Sequence, residues 1–503
     1  MSSVSDPVPD PVADRRRWLA LAVVMTATFL DLVDVTIVNI AVPSIQEDLG
    51  ASFSTVQWVT AAYALTFAIG LITGGRLGDI YGRKRVFLIG ISGFTAASAL
   101  CGLATGSELL VLARVLQGGM AALMVPQVLS IIHVTFPAKD RGKVFGMFGA
   151  MIGLGSVSGP MIGALLTQWN LFGLEWRPIF LVNVPVGIAG LILGRRYISE
   201  SKAAKALRLD LVGVFMASAA LLLLLYPLTK GRELGWPVWG FVAMAASLVV
   251  FAVFVRYEHA KAGRGGAPLV ELSLFRVKSF AAGIGVQLTY GVISGIFFLI
   301  WTLYMQTGLG WTPLRAGLTG VPFSLAAAVS AGLSVQVLVP AFGRKVLQAG
   351  AVIKIVGVLL YLWEADHYGP AIESWQMALP LAVMGVGMGL IVAPITDSVL
   401  SEVPREHAGS ASGLINTTNQ LGLALGLGLV SIAFFRVVDA SDPRRDSTGD
   451  IFTGAFIHAM WWVAGGLVIV CALMCALPPR TSHAVDDTAD QEPAEQAESD
   501  ARL

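Results

Sequence analysis

The chain has 503 residues, 55% of them hydrophobic and only 13% charged, with a formal charge of +1. Soluble domains carry about 25% charged residues, so this composition, with a mean hydropathy of +0.73, excludes a water-soluble globule. Nucleic-acid binding is excluded too, because no basic stripe interleaves with aromatics.

The first element follows Arg15, Arg16 and Arg17 and runs from Trp18 to about Pro43, too long an apolar stretch for a cleavable signal. A bilayer core of about 30 Å takes about 20 helical residues, and lipid leaves only helices or closed barrels with a satisfied backbone. The apolar runs are long and do not alternate. They predict fourteen helices near 18–43, 55–77, 84–104, 108–133, 143–167, 177–197, 210–229, 237–257, 280–305, 314–340, 344–363, 375–400, 408–435 and 453–477. Arg83–Arg85, Lys139, Arg141, Lys143, the stretches Arg195 to Arg208 and Arg256 to Lys278, Arg344, Lys345, Arg405 and Arg480 fall on one side of this arrangement. Glu47, Asp48, Glu108, Glu175, Glu364, Asp366 and Asp446 fall on the other, with Arg232, Arg444 and Arg445 as exceptions. The positive-inside rule makes the first side cytoplasmic, with both termini inside. Cys101, Cys471 and Cys475 lie within apolar runs and read as small packing residues. The polar stretch Asp439 to Asp450 reads as a mobile outer loop, and the acidic residues from Thr481 onward as a disordered tail.

The chain also repeats itself. Asp79-Ile-Tyr-Gly82-Arg83-Lys84 follows the second span, and Pro340-Ala-Phe-Gly343-Arg344-Lys345 follows the tenth. If spans seven and eight are an insertion, the two hairpins hold equivalent places in two six-helix halves, a plan that puts a transporter's substrate site between repeats. The expected organisation is then a tail (1–17), a first six-helix bundle (18–200), two inserted helices (201–262), the first five helices of a second bundle (263–435), an outer loop with the last helix (436–480) and the acidic tail (481–503).

The segment Gly75-Arg-Leu77-Gly78-Asp79-Ile-Tyr-Gly82-Arg83-Lys84-Arg85 resembles the signature of the major facilitator superfamily. Gly70, Gly74 and Gly78 form a face that admits close helix approach. Asp79 at a helix end can accept from a neighbouring helix N-terminus or pair with a base. The resemblance implies that this hairpin is a gate, with Gly75, Asp79, Gly82 and Arg83 as its working residues. Pro340 stands where the second copy would have the acid. Span five has Gly146, then Gly155, Gly159-Pro160 and Gly163-Ala164. This is similar to the antiporter motif of drug:proton exporters, departing where Ala164 replaces glycine. Gly155, Gly159 and Gly163 line one face, Pro160 removes a backbone bond and kinks the helix, and the smooth face is expected to let the halves rock; static packing is the alternative. Asp34-Val-Thr36-Ile-Val-Asn39, Trp176-Arg177-Pro178-Ile-Phe180-Leu-Val-Asn183, and Tyr304-Met-Gln306 with Gly310-Trp-Thr-Pro313 match the pattern of the fourteen-span drug:proton antiporter family. Over residues 18–435 the resemblance implies an all-α major facilitator fold of two six-helix bundles plus two extra spans.

Charge inside a membrane marks function, because an ionised side chain at mid-bilayer costs about 2.5–3.5 kcal/mol on insertion scales. Asp31 and Asp34 share a face of the first span. Two acids that close repel, so one of them is expected to hold a proton near neutral pH. Arg114 in span four lies at a compatible depth. The resemblance makes Asp34 the main proton carrier, with Asp31 assisting or binding cationic substrate and Arg114 tuning both. A structural Asp34–Arg114 ion pair, and a cavity-facing Asp31 without a coupling role, are the alternatives. Asn39, Gln117, Gln287, Tyr290, Phe297, Trp301, Asn416 and Asn419 are the candidate cavity residues. For the aromatics of span nine, ordinary packing is the alternative to stacking on planar drugs. Lys354 either snorkels or lines the cavity. Asp397 is a gate, a cap or a proton site.

The combined reading is a proton-coupled antiporter that exports hydrophobic or cationic small molecules across a bacterial cytoplasmic membrane. Its expected partners are substrate, protons and lipid; it is expected to be a monomer, not an enzyme, and without cofactor, since no Walker motif supplies ATP chemistry. An importer or specific metabolite exporter on the same fold is one rival. A sensor or channel without turnover is another.

Overall fold

The computed structural model describes residues 11–51, 53–169, 173–202, 209–231, 234–264, 266, 268–270, 272–401, 403, 408–441 and 447–475. The side chains of Asn39, Pro160 and Asp397, the middle of the loop Asp439 to Asp450, and the tail from Thr481 lie outside what it describes.

Fourteen helical segments follow one another: α1 (Pro11–Leu49), α2 (Phe53–Tyr81), α3 (Arg83–Gly102), α4 (Ser107–Thr135), α5 (Ala138–Trp169) and α6 (Pro178–Tyr197); then α7 (Leu211–Lys230) and α8 (Val238–Gly263); then α9 (Lys278–Gly308), α10 (Leu314–Phe342), α11 (Lys345–Tyr368), α12 (Ser374–Ser401), α13 (Ala408–Ala440) and α14 (Thr448–Cys475). Among the described residues, thirteen helices are long and apolar enough to cross a membrane. The remaining one, α5, has 32 residues, about 48 Å at 1.5 Å per residue against a hydrocarbon core of about 30 Å. This is a multi-pass membrane protein.

The helices overrun their apolar stretches where polar residues continue the hydrogen-bond ladder, as α1 does at both ends. Two are interrupted. Val182 breaks α6 into Pro178–Leu181 and Asn183–Tyr197. Gly320 breaks α10 just before Pro322, which has no N–H to give the preceding turn.

Packing sorts the helices into groups. In the first, α2 and α3 pack on α4, α1 on α5, and α1 and α3 on α6; in the second, α9 packs on α13 and α14, α12 on α10 and α11, and α11 on α14. The groups meet along two lines, α2 against α13 and α5 against α10. The α7–α8 hairpin sits over the first of these lines, where Ala217, Leu221 and Leu225 of α7 pack with Leu65, Ala68 and Ile72 of α2 and Ala424 of α13.

Inside a bilayer, contact between helices depends on close van der Waals fit, because lipid chains are as apolar as leucine. The stripe Gly70, Gly74, Gly78 answers that need: it faces α4, and the Gln127 amide donates to the Gly74 carbonyl at 2.8 Å. A Cβ on Gly74 would stand 2.0 Å from the Ala122 carbonyl oxygen, and backbone has nowhere to go. Gly74→Ala is therefore expected to push α2 and α4 apart at a cost of about 1–3 kcal/mol, read as a lowered melting temperature of the purified protein. Unchanged melting would disprove the tight approach.

Candidate functional site

The first helix group buries a charge cluster at its centre. Asp34 of α1 is fully buried, and so are Arg114 and Gln117 of α4 and Ser98 of α3. Arg114 Nη1 donates to Asp34 Oδ2 at 2.5 Å. Gln117 Nε2 at 2.8 Å and Asn183 Nδ2 of α6 at 2.7 Å both donate to Asp34 Oδ1. Gln117 also donates to Ser98 Oγ at 2.7 Å and accepts from Arg114 Nη1 at 2.7 Å, while Arg114 Nε donates to the Val59 carbonyl at 2.9 Å. Four helices are tied to one carboxylate. Such density follows from burial: a charge far from water needs an opposite charge and enough hydrogen bonds to replace its hydration.

One turn earlier on α1, Asp31 has simpler company. The Tyr63 hydroxyl of α2 donates to Asp31 Oδ1, and the Tyr63 ring carries the Arg114 guanidinium 4.3 Å from its centroid. Tyr63 thus links the two acids through the face and the edge of one ring. Among the described residues, Arg114 Nη2 has no hydrogen-bond acceptor. Asp31, Asp34 and Arg114 were singled out in the sequence and the structure brings them together. Gln117, expected to line a cavity, belongs instead to this cluster, held on both sides. Tyr63, Ser98 and Asn183 were not expected here. Only Asn183 left a trace in the sequence, as the polar end of the Trp176–Asn183 stretch.

A second arrangement closes the line between α2 and α13 at the end carrying Arg83–Arg85. Asp79 accepts from the backbone N–H groups of Gly409 (2.9 Å) and Ser410 (2.8 Å) and from the Ser410 hydroxyl (3.1 Å). These N–H groups belong to the first turn of α13, where the helix dipole favours an anion. Arg83, also buried, donates at 2.8 Å to Asp79 Oδ1, the oxygen that also accepts from Gly409. Gly82, at φ +103°, takes a turn conformation that a side chain would strain. Gly75 lets the Gly409 carbonyl approach so closely that a Cβ would stand 2.2 Å from it. Ser412 Oγ to the Pro126 carbonyl (2.8 Å), Ser130 Oγ to the Ala408 carbonyl (3.2 Å) and His133 Nε2 to the Val403 carbonyl (3.1 Å) complete the closure.

The glycines of α5 divide their work in a way the sequence did not suggest. Gly155 and Gly159 face Leu32 and Thr36 of α1, within their own helix group, and so back directly onto the turn that carries Asp31 and Asp34. Gly163 is buried as well. Contact with the second group falls to Gly146 and Gly149, against Ala331 of α10 and Ala393 of α12.

In the second group, Tyr290, Phe297 and Trp301 line one side of α9 and are buried, and Gln287 is half-buried. Phe297 and Trp301 stack nearly parallel at 5.7 Å, and Trp301 Nε1 donates to the Tyr361 hydroxyl of α11 at 3.0 Å. Lys354 of α11 is buried and donates to the Tyr290 hydroxyl at 2.8 Å, so it does not snorkel to a surface. Asn416 and Asn419 of α13 are half-buried, and Asn416 bonds back to the Ser412 carbonyl at 2.8 Å. An apolar hollow of about 710 Å³ lies between α2, α4, α7 and α8, beside Trp58, Thr66, Val111, Tyr226 and Trp239. Among the described residues, no charged side chain lines it.

A helical bundle that buries an ion pair at its centre and latches two helix groups together at one end has the parts of a membrane transporter. The family model of the Major Facilitator Superfamily matches residues 24–427, and the chain belongs to that family. It is 44% identical over 428 residues to the probable actinorhodin transporter of Streptomyces coelicolor, covering 85% of this chain and 74% of that protein. It is 33% identical to the tetracenomycin C resistance and export protein of Streptomyces glaucescens, covering 94% and 82%. With the multidrug resistance protein Stp of Mycobacterium tuberculosis it shares 34% identity, covering 83% and 76%. The same fold occurs in the proton:xylose symporter XylE, with a TM-score of 0.63 at 17% identity over 93% of this chain and 97% of that one. The human organic anion transporter MFSD10 superposes with a TM-score of 0.65 at 15% identity, covering 91% and 99%. The chain is a transporter, not an enzyme.

Proposed function

We propose that this protein is a proton-driven exporter of hydrophobic small molecules in a bacterial cytoplasmic membrane, with the Arg83–Arg85 end facing the cytoplasm. The observation that carries this reading is the pair of buried acids on one turn of α1, one held by Arg114 and the other by a single hydroxyl. The relatives named as export and resistance proteins support outward transport.

Asp31 is the group a proton reaches first in this reading, since its described side-chain hydrogen bond is the one from Tyr63, where Asp34 has three. Passing the proton to Asp34 would neutralise the partner of Arg114. The guanidinium, whose Nη2 has no acceptor among the described residues, would then need another anion or a new position, and that need couples protonation to the tilt of α1 and α4. The Asp79 latch holds the cytoplasmic side shut while the proton loads from outside. Release to the cytoplasm follows when the latch opens.

The test is transport in proteoliposomes under an imposed pH gradient, with a panel of apolar compounds. Asp34→Asn is expected to lose proton-driven export while still exchanging substrate at zero gradient. Asp31→Asn is expected to slow export and move its pH dependence. Proton-driven export by Asp34→Asn at the wild-type rate would end the assignment of Asp34.

A further inference from the structure

Arg114 and Lys354 are both buried well inside their helices, and they are treated differently. Arg114 has a carboxylate at 2.5 Å. Lys354, 2% exposed, has none within 4.0 Å among the described residues: its described contacts are the Tyr290 hydroxyl at 2.8 Å and the Tyr290 ring, 4.3 Å from the ring centroid. We propose that Lys354 is the counterion for an acidic aromatic molecule, bound through its carboxylate or phenolate against α9. This rests on the transporter reading given above and names the class of substrate.

The amine is deep and aimed. Lys354 is the tenth residue of α11, about 14 Å from its start at 1.5 Å per residue. Gly387 of α12 lies so close to the lysine stem that a Cβ there would stand 2.5 Å from Lys354 Cβ, so the stem cannot swing that way. The acids of the second helix group cannot serve it. Glu364 and Asp366 are ten and twelve residues further along α11, about 15–18 Å away. Glu373, Asp439 and Asp450 lie at helix ends or loops on that same side. Asp397 is ten residues past Gly387, about 15 Å along α12.

An ammonium has three N–H donors, and an ion in the membrane interior is costly unless an opposite charge meets it. When the chain does not provide the anion, cargo can. The surroundings specify the rest of the molecule. Tyr290, Phe297 and Trp301 repeat along one side of α9, Phe297 and Trp301 stack, and Phe323 of α10 closes on Phe297 at 6.0 Å. A flat ring system would take the place of one of these ring-on-ring contacts, stacking on α9 after Phe297 parts from Trp301 or Phe323, and its acidic group would meet Lys354 and the Tyr290 hydroxyl together.

The experiment is direct binding to the purified full-length protein in lipid nanodiscs, followed by ligand fluorescence. Three probes share one ring system: anthracenecarboxylate, anthracenemethanol and an anthracenylmethyl trimethylammonium salt. Wild type is expected to prefer the carboxylate. Lys354→Met should weaken the carboxylate about tenfold or more, the scale of one charge-assisted hydrogen bond, and leave the alcohol within about twofold; retained alcohol binding also shows that the variant is folded. Lys354→Arg should keep the preference for the anion. The inference is overturned if wild type does not bind the carboxylate or prefers the ammonium salt, if Lys354→Met leaves carboxylate affinity unchanged, or if it weakens all three probes alike. Because binding is read without transport, failure of proton-driven export alone would remove the transport mechanism and leave the Lys354 result standing.

Discussion

Arg114→Met is expected to abolish proton-driven export and to destabilise the protein by about 3–5 kcal/mol, the cost of breaking a buried ion pair from one side. The methionine fills similar volume, but Asp34, fully buried, keeps only the amides of Gln117 and Asn183. Neutralising the acid as well should repair most of this loss. The double variant Asp34→Asn with Arg114→Met is expected to melt nearer to wild type than Arg114→Met does, yet still to show no coupling to a pH gradient. Stability and coupling are thereby separated, since a purely architectural ion pair would have both recover together. The coupling energy between the two positions comes from the thermodynamic cycle of single and double variants. A value near zero would mean that Asp34 and Arg114 do not depend on each other.

Asp79→Asn should open the seam at the basic end. The carboxylate accepts two backbone N–H bonds at the start of α13 and one hydroxyl; bonds to a charged group are worth about 1.5–3 kcal/mol each. An amide can replace one of these contacts but brings N–H donors toward other donors and removes the charge that the helix terminus attracts. Losing the equivalent of one such bond shifts the closed-to-open ratio by about 10–100-fold. Ser412, fully buried behind the latch, reports it. In a background without the native cysteines, Ser412→Cys is expected to react with a membrane-impermeant maleimide about tenfold faster when Asp79→Asn is present. Equal rates would show that Asp79 does not hold this end shut.

Much of this could be read before any fold was known, for physical reasons. Helices in lipid must be long and apolar, so the fourteen runs marked them. An ion buried in lipid needs a partner, so Asp34 and Arg114, with few alternatives at their depth, pointed to each other. Uncharged polar groups obey no such necessity. Tyr63, Ser98 and Asn183 are residue types that membrane helices tolerate singly, and nothing marked them as converging on α1. A stripe of glycines announces a close neighbour but not its identity, which is why Gly155 and Gly159 were assigned to motion between the halves and are found against Leu32 and Thr36. Lys354 and Tyr290 were both noticed. Their contact joins helices 64 residues apart in the chain, beyond what spacing within one helix can reveal.

The α7–α8 hairpin makes the two flanks of the molecule unlike each other. Because α7 leans on α2 and α13 at once, that flank carries a third helix across the seam from Leu65 to Ile72, and the proposed opening at the Asp79 latch would flex against this brace. The far flank, along α5 and α10, has no such brace: among the described residues neither hairpin helix intervenes there. On the proposed transporter reading, a flat molecule dissolved in the leaflet would enter from that direction only after Gly146 and Gly149 part from Ala331 and Ala393, against which they are closely packed.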